Sequence, residues 1–205
     1  MKRTLLLITA LVFSLLLSAQ SLVPQVTVEQ EPQTDALYRL PFDKGVACVA
    51  YSLTPVRLNL ARNYNLVDFC AWELIVAEPS VVVAPRAGVV EAVTDSGVLI
   101  RHEDGIYTRQ SAINDVVVAD GQSVEKGETI ARLGAENGKG GYGVWMEVVY
   151  ITPNPDYGTE ALGGKGEHLT HYINPIFSSR GKCKVQLTNG NSYTVKARTW
   201  CWPWE

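Results

Sequence analysis

The sequence predicts a mainly β protein, and three observations lead to this prediction. Short runs rich in valine, isoleucine, threonine and tyrosine follow one another along most of the 205-residue chain. Glycine, aspartate, asparagine or proline separates each run from the next, which is typical of strands joined by tight turns. Beyond the N-terminal apolar run, no segment has the apolar repeat of a long amphipathic helix. Together these features favour a β-sandwich or a barrel.

The predicted strands, from the start of the ordered domain near residue 36, have the following bounds in chain order: 80–84, 88–94, 98–102, 106–113, 116–118, 129–133 and 144–151. Tight turns at 95–97, 103–105 and 120–121 connect several of them, and each turn contains a glycine. We expect glycine there because a tight reversal places a residue at positive φ.

The N-terminus predicts export from the cell. Lys2 and Arg3 precede an apolar run over 5–17, which ends at Ser18 and Ala19. This pattern is typical of a secretory signal peptide over residues 1–19. The run is shorter than the ~20 apolar residues of a spanning helix, so we expect no membrane anchor after cleavage. Residues 20–35 predict an extended leader, and the mature chain is expected to be periplasmic or secreted.

The C-terminal part predicts an appendage to the main domain. Residues 153–165 are rich in proline and glycine and indicate a surface loop. The segments 183–187 and 192–198 flank Asn189 and Gly190, a pair typical of a β-hairpin turn. We therefore divide the mature chain into a main domain over 36–177 and a hairpin over 178–205. The alternating Trp200, Trp202 and Trp204 would share one face of a strand, as a cover for the domain or as a partner surface.

Charge and cysteine content limit the classes of protein and partner. The formal net charge is -3 and no cluster of basic residues occurs, which argues against nucleic acid or an anionic membrane as partner. Four cysteines in an exported chain indicate two disulfides. Of the three possible pairings we favour the local one, which joins Cys48 to Cys70 and Cys183 to Cys201. No C-x-x-C spacing supports a four-cysteine zinc site instead.

Several segments in order resemble the lysostaphin-like, or LytM-type, zinc endopeptidases, which cut peptide cross-bridges in bacterial cell walls. The segments that carry the resemblance are LPFDKG at 40–45, VAPRAGVV at 83–90, VLIRHEDG at 98–105, DGQSVEKGETIA at 120–131 and YINP at 172–175. The resemblance implies a β-sandwich with a core like that of barrel-sandwich hybrids.

The resemblance also implies where zinc ligands and catalytic histidines would lie. The family's His-x-x-x-Asp pair aligns with Phe69 and Glu73 or, in a second register, with Tyr64 and Asp68. Its His-x-His-Phe-Glu segment aligns with residues 143–147, so Gly143 and Trp145 stand where the family has histidines, and Glu147 ends the segment. Its further histidine aligns with Ala112. Zinc needs three protein ligands and an open position for water, so the sequence predicts that zinc is absent. The candidate groove consists of Phe69, Glu73, Ala112, Gly143, Trp145 and Glu147.

The chain has three histidines, none at these positions. His102 ends a predicted strand, where a packing or hydrogen-bonding role is favoured. His168 and His171 are spaced i, i+3 and could chelate a metal if their segment were helical.

These observations favour a catalytically inactive relative that binds a cell-wall peptide or an envelope protein. A role as an activator of wall hydrolases is what the resemblance implies for inactive members. The aromatic residues of the groove either fill a vacated cavity or form a stacking surface for a sugar or a peptide. The alternatives are a hydrolase with a relocated metal site or one that uses Glu73 with His102, and a lipoyl or biotinyl carrier. A carrier would usually present a Met-Lys pair, and the exported chain has no such pair outside the signal peptide.

Overall fold

A computed structural model describes residues 36–53, 70–134, 136, 140–153, 168–179 and 182–195. The described residues form strands and connecting segments, in agreement with the predicted mainly β class. None of them forms a helix long and apolar enough to span a membrane.

Fifteen strands are present in the described part of the chain. They are β1 (Leu37–Arg39), β2 (Ala47–Ser52), β3 (Ala71–Val76), β4 (Val81–Val83), β5 (Gly88–Thr94), β6 (Gly97–Arg101), β7 (Tyr107–Ser111), β8 (Ile113–Asn114), β9 (Ser123–Val124), β10 (Thr129–Leu133), β11 (Tyr142–Pro153), β12 (His168–Tyr172), β13 (Ile176–Ser179), β14 (Lys182–Val185) and β15 (Asn191–Thr194).

The largest sheet contains nine strands and is antiparallel, because each strand pair in it runs in opposite directions. Eight of the strands follow the order β15-β2-β3-β11-β7-β6-β5-β9, and β12 pairs with the far end of β11. The long strand β11 lies at the centre, with β3 on one side and β7 on the other. Its residues alternate between the two faces of the sheet, so Val144, Met146 and Val148 all point into the core.

Two small sheets complete the fold. One has the order β4-β10-β8, and the other has the order β1-β13-β14. A single buried cluster draws on all three sheets, with Leu74 and Met146 from the large sheet, Ile130 from the second and Tyr38 and Phe177 from the third. The apolar faces of short strands are thus buried against one another, which is the main stabilising term for sheets of this size.

Five of the seven predicted strands form with ends that shift by no more than a few residues, and the predicted strand over 106–113 is divided at Ala112 into β7 and β8, which join different sheets. The remaining predicted strand does not form. Residues 116–118 form no strand, and the segment contacts β10 through the Val117 N–H, which donates to the Ile130 carbonyl at 2.9 Å. Val117 itself is 61% exposed, so the apolar run gave a false strand signal. The turns at 103–105 and 120–121 have their glycines at positive φ, as predicted, whereas Gly97 has no positive φ.

The C-terminal strands are not an appendage in this structure. The turn at Asn189 and Gly190 forms, with Gly190 at φ 78°. However, β14 pairs with β13, while β15 pairs with β2, so the two strands belong to different sheets. The predicted hairpin, in which these two strands would pair with each other, is therefore wrong. Each strand forms its backbone hydrogen bonds with a strand outside the predicted hairpin turn. The predicted boundary after residue 177 falls inside β13.

Cys48 and Cys70 are free thiols, which corrects the predicted bridge between them. In the antiparallel pair of β2 and β3, Val49 lies opposite Ile75 and Ser52 lies opposite Trp72. The two cysteines therefore flank opposite ends of this paired stretch, about 20 Å apart along the strands. A disulfide requires Cα atoms within about 7 Å. Burial raises the pKa of the Cys48 thiol to about 12. The proposed Cys183–Cys201 bridge involves residue 201, which lies outside the described residues, and stays a prediction.

Candidate functional site

The centre of β11 places three predicted groove residues on one face of the large sheet. Gly143, Trp145 and Glu147 are two residues apart, so their positions share the face opposite to the core. On the neighbouring strands, Glu73 of β3 and Ser111 of β7 both lie directly opposite Trp145. Side chains opposite one another in a sheet lie ~5 Å apart, so Trp145 is flanked closely by an acid and a hydroxyl.

A cavity of about 280 Å³ opens on this face. It brings together four of the six predicted groove residues, namely Glu73, Ala112, Gly143 and Trp145. The other residues that line it are Ser96, Ile113, Asn114 and Gly134. The cavity therefore combines one carboxylate, one indole, a hydroxyl, an amide and several apolar groups.

The rim of the cavity has an unusual backbone. Ala112 lies between β7 and β8 with φ 61°, in the left-handed region that a residue with a Cβ seldom adopts. This kink carries the chain from the large sheet into β8, where the Ile113 N–H donates to the Ser96 carbonyl at 3.3 Å. A Cβ at Gly134 would lie 3.2 Å from the Ala112 carbonyl oxygen, so that glycine allows the close approach. Three separate segments thus meet at Ala112.

The two carboxylates of the face have different surroundings. Glu147 forms an ion pair with Arg109, which lies opposite it on β7. Glu147 and Glu73 are each 7% exposed. Glu73 lines the cavity, whereas Glu147 is not among the residues that line it. The predicted groove residue Glu147 thus belongs to a neighbouring ion pair.

Phe69, together with Tyr64 and Asp68 of the second register, lies outside the described residues. The described cavity residues that the sequence did not predict are Ser96, Ile113, Asn114 and Gly134. The sequence identifies Ser96 only as part of the turn at 95–97. No local signal marks Gly134 or Asn114, because their role depends on the kink at Ala112 and not on their own segments.

His102 is a core residue that is 1% exposed. Its Nδ1 lies 2.8 Å from the Ala87 carbonyl oxygen, and because a carbonyl can only accept, Nδ1 carries the proton. In this neutral tautomer, Nε2 accepts from the Thr108 hydroxyl at 3.1 Å. Burial lowers the pKa of His102, which favours the same neutral state. The predicted hydrogen-bonding role is confirmed, and His102 does not line the cavity.

His168 and His171 lie on the strand β12. The helix that an i, i+3 chelating pair would require is therefore not formed. Residues three apart in a strand are separated by about 10 Å and alternate between faces, so a strand does not form an i, i+3 metal pair. The His171 ring stacks on Tyr150 at 4.4 Å, and its Nε2 lies 2.9 Å from the Thr152 hydroxyl. Tyr150 and Thr152 lie on the face of β11 opposite to Trp145.

The donor groups of the cavity do not fit zinc. A catalytic zinc needs three nitrogen, sulfur or carboxylate ligands, and the described cavity supplies one carboxylate, from Glu73. Within the described parts of the chain, no group of three His, Cys, Asp or Glu residues is placed to hold a metal ion. The residues described at this site therefore offer no complete set of ligands.

The described residues form a mainly β fold with a cavity that a carboxylate and an indole line. Residues 71–156 match the family model of peptidase family M23, so this stretch of the chain is similar to M23 peptidases. The matched range contains every residue described as lining the cavity. Comparison of the sequence with curated proteins gives no match.

Several solved structures are similar to the chain. The M23 metalloprotease pseudoalterin, from the deep sea, is 14% identical with a TM-score of 0.44, and the match covers 80% of this chain and 98% of that one. A chain of the SpoIIIAH and SpoIIQ complex is 18% identical with a TM-score of 0.42, over 54% of this chain and 90% of that one. A zinc-containing peptidase from Vibrio cholerae is 22% identical with a TM-score of 0.42, over 55% of this chain and 36% of that one.

Proposed function

We propose that this chain is an exported, catalytically inactive M23 peptidase-like protein that binds a cell-wall peptide in the cavity beside Trp145. One observation carries the proposal. The positions that the family resemblance assigns to histidines, Ala112, Gly143 and Trp145, line one cavity together with a single carboxylate from Glu73. The scaffold thus keeps a cavity where the resemblance places a metal site, and aromatic surface replaces the metal-binding groups.

The chemistry of the cavity supports binding without cleavage. Peptide hydrolysis by this class needs a metal-activated water, and one carboxylate does not hold the metal. The half-buried Trp145 offers an indole surface, on which a peptide or a sugar can pack with little loss of side-chain entropy. Zinc is therefore proposed to be absent from the mature protein, and export is proposed to follow from the signal peptide over residues 1–19.

The first test combines binding with metal content. The purified mature chain is incubated with insoluble bacterial cell wall and sedimented, and its zinc content is measured by elemental analysis. We expect co-sedimentation, no stoichiometric zinc and no release of wall peptides, with or without added zinc. Stoichiometric zinc with peptide release would instead establish the alternative, an active endopeptidase with a relocated metal site.

A pair of variants assigns the binding to the cavity. Trp145→Ala removes the indole surface and should reduce co-sedimentation at least about tenfold, since buried aromatic anchors carry ~2 kcal/mol or more of binding energy. Tyr107→Ala is the matched control, because Tyr107 is a half-buried aromatic residue of β7 that does not line the cavity. Equal loss in both variants, or no binding by the parent chain, overturns the peptide-binding proposal. In that case an envelope protein is the remaining occupant to test.

A further inference from the structure

The cavity beside Trp145 has an acidic character. Glu73 supplies its only carboxylate among the described lining residues, and none of those residues is a lysine, arginine or histidine. Glu147, the other acid of this face, forms an ion pair with Arg109 and does not line the cavity. A negatively charged ligand group would therefore meet like charge from Glu73, whereas a positively charged group would be attracted to it.

The polar groups of the cavity match the donors of an ammonium group. A primary ammonium has three N–H donors and no acceptor. The described lining offers acceptors from the Glu73 carboxylate, the Ser96 hydroxyl and the side-chain oxygen of Asn114. The indole of Trp145 adds an electron-rich face that attracts a cation within ~6 Å. A metal ion has too few ligands here, but an organic cation needs only these acceptors and the aromatic face.

The size and the apolar groups of the cavity limit the rest of the ligand. A volume of about 280 Å³ lies near the lower end of the ~300–1,000 Å³ of pockets for drug-sized ligands. This space suits a single side chain better than an extended molecule. Ile113, Ala112 and the two glycines of the lining supply apolar contacts for a methylene chain, such as the one that carries the ammonium of a lysine.

We propose that the cavity binds a primary ammonium group on an aliphatic side chain of the peptide ligand, with Glu73 as its counter-ion and Trp145 as its aromatic wall. This inference rests on the proposed function, since it specifies which part of a peptide enters the cavity. In this proposal, an organic cation occupies a cavity that has too few ligands to hold a metal cation.

The test compares two peptides that differ only in charge. Isothermal titration calorimetry measures the binding of N-acetyl-alanyl-lysyl-alanine amide and of the same peptide with its lysine Nε-acetylated. We expect the first peptide to bind at least about tenfold more tightly, because a charge-assisted hydrogen bond contributes more than a neutral one. In the Glu73→Gln variant, this preference should fall to about twofold or less. Glu103→Gln, at an exposed turn, is the matched control and should keep the full preference.

A second variant guards against a folding effect of the Glu73 change. Trp145→Leu keeps an apolar side chain and should weaken binding of the lysyl peptide about fivefold, as expected for a lost cation–π contact. Thermal unfolding of each variant shows whether it is folded at the titration temperature.

The outcomes separate this inference from the proposed function. If both peptides bind the parent chain equally, or if Glu73→Gln keeps the preference, the ammonium inference is overturned while peptide binding stands. If neither peptide binds but the chain co-sediments with cell wall, the ammonium inference alone is overturned. If neither peptide binds and no co-sedimentation occurs, both proposals are overturned.

Discussion

At the scale of single residues, Trp145 and Glu73 owe their common place in the cavity to strand pairing and not to their separate sequence contexts. The two residues are far apart in the chain and lie directly opposite each other because β11 pairs with β3 in one register. A shift of that register by one residue would turn Glu73 to the other face of the sheet. The site therefore depends on the pairing as much as on the two side chains.

His102 allows a prediction about pH at the same scale. Burial lowers its pKa from the ordinary value of 6.5, so the folded protein binds this proton less readily than the unfolded chain. The free energy of unfolding should then decrease as the pH falls below about 6.5, and should be unaffected by His102 above it. Urea unfolding at pH 7.5 and 5.5 measures this decrease, and we expect His102→Gln to reduce it. His171→Gln is the control. An unchanged pH dependence in His102→Gln would contradict the assignment of the neutral buried tautomer.

At the scale of the strands, Gly88 shows why the start of β5 tolerates no side chain. A Cβ at this position would lie 2.4 Å from the Arg101 carbonyl oxygen and 2.9 Å from Nδ1 of His102. The first of these contacts is to backbone, which cannot move aside as the end of a side chain can. The glycine therefore lets β5 and β6 approach closely beside the buried histidine.

We predict that Gly88→Ala lowers the free energy of unfolding by about 2 kcal/mol or more, since the clash forces the two strands apart. Gly97→Ala is the control at the other end of the same strand pair. A Cβ there would meet the Thr94 hydroxyl at 3.2 Å and the Gln110 carbonyl oxygen at 3.3 Å, so a smaller loss is expected. Chemical denaturation of both variants measures the difference. Equal losses would show that the close approach at Gly88 is not the cause.

The strand scale also shows how far the sequence predicts the fold. Alternating β-branched residues and glycine turns identify β5, β6, β7 and β10, because their signals are local. The sequence does not predict the strands β1, β2, β3, β9, β12 and β13. In β3, Leu74 and Val76 point into the core while Glu73 lies buried on the other face, so the strand has no clear polar face to reveal its period.

At the scale of the whole molecule, the C-terminal segment is part of the main fold. The described residues belong to one compact unit, Thr34–Glu205. Leu187 and Val195 are 6% and 2% exposed and belong to the central core cluster. In addition, β15 covers one edge of the large sheet by pairing with β2.

We predict that a chain ending at residue 180 is less stable than the full chain by about 3 kcal/mol or more. The truncated chain loses the burial of Leu187 and Val195, each worth ~1.5–3 kcal/mol. It also loses the strands that pair with β2 and β13, namely β15 and β14. Urea denaturation followed by tryptophan fluorescence measures the change. A truncated chain as stable as the full one would instead support the independent appendage that the sequence predicts.

The candidate site was predictable only in part. The resemblance to a known family points to Ala112, Gly143 and Trp145 through the order of its motifs, and to Glu73 in one of the two registers that the sequence leaves open. It did not indicate Ser96, Asn114 or Gly134, which reach the cavity through the positive φ of Ala112 and the close packing around it. It also grouped Glu147 with the cavity, although that residue forms an ion pair with Arg109.

The sequence by itself determined the mainly β class and most strands of the central part. It has no histidine at the positions that the family resemblance aligns with zinc ligands. These properties follow from local patterns and from the identity of single residues. Only the tertiary structure decided which strands pair, that Cys48 and Cys70 lie far apart, and that β14 and β15 join different sheets. Strand pairing depends on contacts between segments that are distant in the sequence. The free energy of these contacts comes from burying whole strand faces together, so the sequence of a single segment does not indicate its partner.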